Sequence, residues 1–402
     1  MPLADAFLEA GNQPSVRPVK ILMVTGAIPD VHANTGASIV MAGQVGAVSA
    51  RHRVTLVTFA PENSAQIAAL EHWRSRGVTV HTTTTRIPAP VVRAKRRIER
   101  ALKPRGPQLE PTTGDAPTQA VIDGVLASND FDLIQVESIG VGSFRYPASI
   151  PKVLTEHEVG RFASGVSDEW RVRQPTIWEP FDRIQVFTAR DAATLASAAP
   201  ALAARVRVNP FGIDLPAASD PQRVEPDSVV FVGSFNHRPN VDAAVWLVRE
   251  ILPLVAARYP GVRLSVVGED PPDLVTRLSQ HNVVVTGRVP DVTPYLESAA
   301  VVVAPVRIGG GMRQKVLHAL ALGKAVVTTS LGTEGLVGEA SELPLGRADA
   351  AEHTADHILR LLGHPEERRA LGLRARDFVA QHHSWTAYGD RLDAIYQELV
   401  GS

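Results

Sequence analysis

Short apolar runs alternate with helix-length segments along the first half of this 402-residue chain. The runs are rich in Val, Ile and Leu and lack strict alternation of apolar and polar positions, which is typical of strands buried on both faces of a parallel sheet. Helical segments such as 37–50 separate them, and this pattern predicts a doubly wound α/β domain over residues 19–213. The strands are predicted at residues 19–25, 53–59, 78–82, 132–137, 152–157, 183–188 and 206–211.

The α/β pattern stops at residues 214–227, which hold three prolines and no apolar period. We interpret this segment as an interdomain linker. A second α/β domain is predicted at residues 228–380, with strands near 228–233, 262–268, 283–287, 300–306 and 325–330, and residues 1–18 are predicted to be an N-terminal tail. A C-terminal helix at 381–402 is expected to pack back toward the first domain. Two such domains imply a cleft between them, and ligands of these folds bind at the carboxyl ends of the strands.

The charge balance and the composition exclude several classes of protein function. The 41 Lys and Arg nearly balance the 42 Asp and Glu, so no basic field is present to hold nucleic acid. The absence of cysteine excludes disulfides, thiolate zinc sites, iron–sulfur clusters and a cysteine nucleophile. The start of the chain lacks the charge order of an export signal, and no run of about 18 apolar residues predicts a membrane span. We therefore expect a cytoplasmic protein.

One basic segment departs from this balance. Residues 91–105 hold seven Lys or Arg against the single acid Glu99, and their apolar positions share one helical face. One interpretation is an amphipathic helix resting on the anionic inner face of a membrane. The other is a solvated surface helix. Both remain open.

The sequence IGGGMRQK predicts an anion site. Gly309, Gly310 and Gly311 follow a predicted strand and remove side chains where a backbone must approach a ligand closely. A helix is predicted from about Met312, so its free N–H groups and the positive end of its dipole would face the ligand. Arg313 and Lys315 are unfavourable in a first turn unless an anion is bound there. The alternative is a tight turn with two solvated bases.

No other phosphate motif competes with this loop. Gly323 and Lys324 follow a helix and precede Ala325, so they do not form a Walker loop. The segment TGAIPDVHANTGAS after the first strand lacks the G-x-G-x-x-G spacing of a dinucleotide fold.

Several segments together resemble glycosyltransferase family 4, in its branch with an IGGGxRxK motif. They are FVGSFNHRPNVDAAVWLVREILP, GED and VVVTGRVPDVTPYLESAAVVVAPVRIGGGMRQKVLHALALGKAVVTTSLGTEGL, with weaker matches such as LTEHEVG in the first domain. The resemblance covers about residues 20–398 and implies the GT-B fold, in which two Rossmann-like domains face each other across a cleft. It also implies that the second domain binds a nucleotide-diphosphate sugar, that the first presents the acceptor, and that transfer retains the anomeric configuration without a metal or other cofactor.

The resemblance assigns most candidate residues to the donor. Arg313 and Lys315, with the amides of Gly310 and Gly311, would stabilise the departing diphosphate. Arg238 would be a third cation, and Arg288 and Val289 match a segment that contacts the nucleobase. The remaining donor candidates are Gly309, Met312, Thr333 and Glu334, the last two of which could equally be a solvated turn.

On the acceptor side, His157 in TEHEVG would lie close to the transferred sugar, and Glu158 could set its tautomer. The alternative is a histidine at a strand end that bonds to backbone. The loop Thr35, Gly36 and Ala37 would lie opposite the diphosphate.

One departure from the family concerns two glutamates that are normally separated by seven residues. Gly310 occupies the first position and His318 the second. Backbone amides can replace the first acid. A neutral imidazole at 318 can accept one ribose hydroxyl but loses the bidentate carboxylate.

The predicted function is a retaining glycosyltransferase that moves a hexose from a UDP- or GDP-sugar to a hydroxyl of a glycan or polyprenyl-linked saccharide. Bacterial polysaccharide, exopolysaccharide or glycoconjugate synthesis is the expected setting. The alternatives are a nucleotide-sugar epimerase of the same fold and a nucleotide-sugar-binding protein with weakened catalysis.

Overall fold

The structure is a computed structural model that describes residues 17–33, 36–83, 115–157, 159, 174–338 and 342–401. The basic segment 91–105, most of the N-terminal tail, Thr35 and Glu158 lie outside the described residues. Within the described part of the chain, no helix is both long and apolar enough to cross a bilayer.

The first domain is built on seven parallel strands in the order β3-β2-β1-β4-β5-β6-β7. The central strands are buried along their whole length, because the apolar residues on both faces pack under helices. The strands are β1 (Lys20–Thr25), β2 (Arg53–Thr58), β3 (Thr79–Thr82), β4 (Leu133–Glu137), β5 (Lys152–Thr155), β6 (Arg183–Val186) and β7 (Val206–Val208).

Several strands of this sheet end earlier than the sequence predicts. Because β5 stops at Thr155 and β6 at Val186, His157 and Thr188 lie in the loops at the carboxyl edge and not in the ladder. That edge is where ligands of open parallel sheets bind. The helices of this domain are α1 (Gly36–Ser49), α2 (Ser64–Ser75), α3 (Asp115–Ser128), α4 (Ile139–Gly142) and α5 (Ala189–Ala198).

The second domain has six parallel strands in the order β10-β9-β8-β11-β12-β13. Several strand bounds differ from the sequence prediction by one to three residues, and one strand was not predicted. The first strand begins at Glu225, inside the segment 214–227, and Gly346–Arg347 adds an edge strand that is too short to show a periodic signal. The strands are β8 (Glu225–Val232), β9 (Arg263–Val267), β10 (Val283–Gly287), β11 (Ala299–Ala304), β12 (Ala325–Thr328) and β13 (Gly346–Arg347). The predicted pair of doubly wound domains is thus confirmed.

Helices cover both faces of this second sheet. One of them, the helix Gln314–Ala321 (α10), follows the glycine loop and is strongly amphipathic, with Val316, Leu317 and Leu320 in the core. The helices are α6 (Arg238–Trp246), α7 (Leu252–Arg258), α8 (Asp273–Thr276), α9 (Thr293–Ser298), α10 (Gln314–Ala321), α11 (Ala351–Gly363), α12 (Pro365–His382) and α13 (Trp385–Val400), with a π turn at Leu247–Ile251 between α6 and α7.

The last helix, α13, leaves the second domain and packs on the first. It lies against α1 at Gly43, where a Cβ atom would sit only 1.8 Å from the Trp385 ring. Near the middle of α13, Asp393 bonds to Arg51 at 2.8 Å and to His52 at 2.9 Å. The two domains are therefore joined by this helix as well as by the segment before β8.

Candidate functional site

The glycine loop lies between β11 and α10 at the carboxyl edge of the second sheet. Gly309 and Gly311 have φ values of +99° and +79°, a region that other residues rarely adopt. The helix begins at Gln314 rather than at Met312, because Arg313 still has an extended backbone and serves as the N-cap. The first helical hydrogen bonds run from Val316 and Leu317 back to the Arg313 carbonyl.

Arg313 lies beside this loop with unsatisfied donors. Its Nη1 donates to the Gly310 carbonyl at 2.5 Å. Its Nε and Nη2 atoms are buried and have no hydrogen-bond partner among the described residues. Burial lowers the pKa of Arg313, partly offset by the nearby Glu334 carboxylate. A buried guanidinium with free donors is a site for an oxyanion.

Lys315 lies deeper in the same corner. Its Nζ donates to Asn240 Oδ1 at 2.5 Å and lies 4.6 Å from the centre of the Phe231 ring. A Cβ atom on Gly233 would come within 2.6 Å of this Nζ, so the glycine leaves room for the lysine. Burial, with a smaller contribution from the Arg313 charge, lowers the pKa of Lys315 to about 7. The carboxyl end of β8 and the start of α10 thus hold two cations side by side.

The first domain approaches this loop from across the cleft. Gly36 begins α1, and a Cβ atom there would lie 3.2 Å from Gln314 Oε1 at the start of α10. Ala37 is exposed beside it. The first residues of the two helices therefore lie close together where the two domains face each other.

Arg190 also links the two domains at this loop, and sequence analysis missed it. This residue lies in the first turn of α5, and its Nη1 donates to Glu334 Oε1 at 2.9 Å and to the Gly309 carbonyl at 3.3 Å. The other carboxylate oxygen of Glu334 is buried without a partner among the described residues. Nothing in the local sequence around Arg190 marks it, because the contact exists only when the domains face each other.

His157 lies at the carboxyl edge of the first sheet, and its partner differs from the predicted one. Its Nε2 lies 3.0 Å from Glu137 Oε2, and its ring packs edge-on against Phe187 at 5.0 Å. The predicted partner Glu158 lies outside the described residues. The alternative of a histidine bonded to backbone is wrong for Nε2, because that nitrogen bonds to a side-chain carboxylate. Glu137 ends β4, next to β5, and only the strand order brings it to His157.

The other candidate donor residues differ in their exposure and in their contacts. Arg238 is exposed at the start of α6, and Arg288 is held by Glu269 at 2.7 Å. His318 is half-buried on α10, and burial lowers its pKa, which favours the neutral imidazole. The three remaining residues are partly buried: Met312, which packs at Gly335; Val289, which packs on the core; and Thr333, which donates to the Ser330 carbonyl at 2.9 Å.

Across the part of the chain that the structure describes, no group of three His, Asp or Glu side chains is arranged to hold a metal ion.

Comparison with known proteins supports the same fold. Residues 226–364, about a third of the chain, match the family model described as glycosyl transferases group 1. Sucrose-phosphate synthase from Thermosynechococcus elongatus is similar at 18% identity and TM-score 0.66, over 95% of this chain and 99% of that one. A search of curated proteins finds no significant match.

Two further solved structures are similar over almost their whole length. HepE from Anabaena, solved with UDP and glucose, has 14% identity and TM-score 0.66, over 95% of this chain and 100% of that one. A glycosyltransferase from Rickettsia africae has 11% identity and TM-score 0.63, over 96% and 99%. The chain therefore has the GT-B fold, and the match over its second domain supports a group 1 glycosyltransferase.

Proposed function

We propose that this protein is a retaining glycosyltransferase that moves a hexose from a UDP- or GDP-sugar to a hydroxyl of a glycan or polyprenyl-linked saccharide. The match of residues 226–364 to group 1 glycosyl transferases supports the class of reaction. HepE is solved with UDP and with UDP-glucose, which makes uridine donors the first to test.

The observation that carries this proposal is that two buried nitrogens of Arg313 have no hydrogen-bond partner in the described part of the chain. Leaving charged donors without partners inside a protein costs free energy, so the site is built for a group that supplies oxygen acceptors. Lys315 lies next to it, and the N-terminus of α10 adds a partial positive charge. A diphosphate fits these three features, since its several anionic oxygens can bind Arg313, Lys315 and the N-terminus of α10 at the same time.

A site with these positive groups can promote transfer of the sugar without a metal ion. As the bond from the anomeric carbon to the diphosphate breaks, negative charge grows on the leaving oxygen. Arg313, Lys315 and the loop amides are already oriented there, so they stabilise that charge without reorganising. The acceptor hydroxyl would enter from the first domain, on the same face as the departing diphosphate, which retains the anomeric configuration. We therefore propose that no metal or other cofactor is required.

The cellular setting follows from the acceptor class. A polyprenyl-linked acceptor would place the enzyme at the cytoplasmic face of a membrane, and the basic segment 91–105 would contact anionic lipid there. We propose polysaccharide or glycoconjugate synthesis as the setting.

An epimerase would need an acid and a base that reach the sugar ring. Glu137 is the carboxylate beside His157, but it is fully buried and both its oxygens are occupied by hydrogen bonds. It is therefore unsuited to proton transfer with a substrate, and we do not favour the epimerase. A binding protein without catalysis would hold a donor and leave it intact, so the two alternatives differ in their products.

A donor screen tests the proposed function. We expect one of the UDP-, GDP- or ADP-sugars to raise the melting temperature of the full-length protein, by an amount that grows with ligand concentration above Kd. The same donor should release free nucleotide when an acceptor glycan is added. Epimerised donor without acceptor would instead support the epimerase, and stabilisation without nucleotide release would support the binding protein.

Lys315 provides a second test through proton uptake. Because burial lowers its pKa to about 7, Lys315 is largely neutral at about pH 8.5 when no ligand is bound, whereas a bound diphosphate favours the charged ammonium. UDP binding at that pH should therefore take up close to one proton, measured as a buffer-dependent binding enthalpy. UDP affinity should fall as the pH rises above 7.

The control is Lys315→Met, which should bind UDP more weakly and without this proton uptake. The pH dependence of the stability of the unliganded protein tests the same lowered pKa. Between pH 7 and 10.5 the unfolded chain binds more protons at residue 315 than the folded chain, so this lysine makes the free energy of unfolding rise with pH. Equal proton uptake in both proteins would contradict the assignment of Lys315 to the diphosphate.

A further inference from the structure

The carboxylate of Glu137 is surrounded by hydrogen-bond donors. Its Oε1 accepts from Gln135 Nε2 at 2.9 Å and from Thr155 Oγ1 at 3.0 Å. Its Oε2 lies 3.0 Å from His157 Nε2. The side chain of Glu137 is inaccessible to solvent, whereas that of His157 is 10% exposed at the edge of the cleft.

The direction of the neighbouring bonds shows that Thr155 must donate to Glu137. Thr155 Oγ1 accepts from Gln135 Nε2 at 2.7 Å and from Gln185 Nε2 at 3.2 Å, which leaves its own proton for the carboxylate. Glu137 Oε1 therefore receives two donors. Such a set of donors suits the ionised carboxylate, and an ionised carboxylate at 3.0 Å requires a proton on His157 Nε2.

We propose that Glu137 is a positioning residue that fixes a proton on His157 Nε2, so that Nδ1 is the ring nitrogen left to accept a hydrogen bond. The Nδ1 atom is then a hydrogen-bond acceptor, and it has no partner among the described residues. Resting on the proposed function, this inference assigns Nδ1 to a hydroxyl of the transferred sugar. The carboxylate fixes which ring nitrogen carries the proton, and thereby which kind of group His157 can recognise.

The same network extends into the last helix of the chain. Gln185 Nε2 donates to the Tyr388 hydroxyl at 2.9 Å, and the Tyr396 hydroxyl donates to Gln135 Oε1 at 3.2 Å. Both tyrosines belong to α13 and are fully or almost fully buried. The helix that crosses from the second domain thus orients the two glutamines that hold Thr155 and Glu137.

Substitution Glu137→Gln should invert the tautomer. The glutamine carbonyl oxygen must take the place of Oε1, because Gln135 and Thr155 donate there. Its NH₂ group then faces His157 Nε2, which can only be an acceptor, so the proton moves to Nδ1. A hydroxyl that donated to Nδ1 loses its acceptor, and turnover should fall about 10- to 100-fold while UDP affinity stays within about twofold.

The measurement is the ¹⁵N spectrum of histidine side chains in the full-length protein, with the His157 signal identified by its loss in His157→Gln. The wild-type spectrum should show neutral His157 protonated on Nε2, and Glu137→Gln should show protonation on Nδ1. Wild-type protonation on Nδ1, or a doubly protonated ring at about pH 7.5, overturns the proposal without any variant. An unchanged tautomer or unchanged turnover in Glu137→Gln overturns it as well.

Glu156→Gln is the matched control. Glu156 is a buried carboxylate one residue before His157, and it accepts from Gln174 Nε2 at 3.1 Å and Trp178 Nε1 at 2.9 Å. This variant should lose stability without changing the His157 tautomer. If the wild-type protein transfers no sugar at all, the proposed function fails, and the spectrum still decides the tautomer.

Discussion

Arg313→Ala should lower turnover by about 10²- to 10³-fold, because it removes a preorganised donor from the leaving diphosphate. The guanidinium donates to the Gly310 carbonyl, and two of its buried nitrogens have no hydrogen-bond partner among the residues that the structure describes. Its interaction grows as charge develops on the leaving oxygen, so kcat should fall more than donor affinity. Initial rates of nucleotide release with saturating donor and acceptor measure the effect.

Two variants make this result specific. Arg313→Lys keeps the charge but not the planar fork of donors, so its rate should lie between those of wild type and Arg313→Ala. Arg307→Ala is the control from the same loop, since Arg307 is held by Asp242 at 2.9 Å and stacks on Trp246. If Arg307→Ala loses as much turnover as Arg313→Ala, or if Arg313→Ala keeps full turnover, Arg313 does not stabilise the leaving group.

Gly43→Ala should lower the free energy of unfolding by about 2–3 kcal/mol. A Cβ atom at this position would lie 1.8 Å from the Trp385 ring, so α13 would have to move away from α1. The displacement would also disturb the buried bond from Gln44 to Tyr388, one residue further along α1. Chemical denaturation with tryptophan fluorescence measures the change.

Gly46→Ala is the matched control on the same helix. The nearest atom to a Cβ there is on Trp73 at 3.7 Å, an ordinary contact. Replacing glycine by alanine inside a helix should then stabilise by about 0.5–1 kcal/mol. In a double-mutant cycle with Trp385→Leu, the loss of unfolding free energy caused by Gly43→Ala should become smaller, because the indole ring that the new Cβ atom would overlap is absent. Equal effects of the two glycine substitutions would contradict close packing of α13 on α1.

The architecture was largely predictable from residue spacing. Runs of Val, Ile and Leu mark strands such as β1 and β11 because both their faces are buried, and the intervening segments have helical spacing. The sequence prediction was wrong mainly about where strands end and about very short strands. The chain leaves the ladder before His157, and a two-residue strand at Gly346 has too few residues for any period.

The donor side of the site was also visible in the sequence. Three glycines followed by a helix with two cations in its first residues form a local signal, since glycine, helix start and charge all lie within eight positions. The start of α10 was misplaced by two residues, because the backbone of Arg313 remains extended after Gly311.

The sequence by itself therefore determined the two α/β domains and the cationic glycine loop, because these depend on residues that are neighbours in the chain. Only the tertiary structure decided that Glu137 holds His157, that Arg190 reaches Glu334, and that α13 buries its tyrosines beneath the first sheet. Glu137 and His157 lie 20 positions apart, Arg190 and Glu334 lie 144 apart, and Gln185 and Tyr388 lie 203 apart. Their contact depends on which strands are adjacent and on how the domains face each other, and residue spacing carries no signal of either.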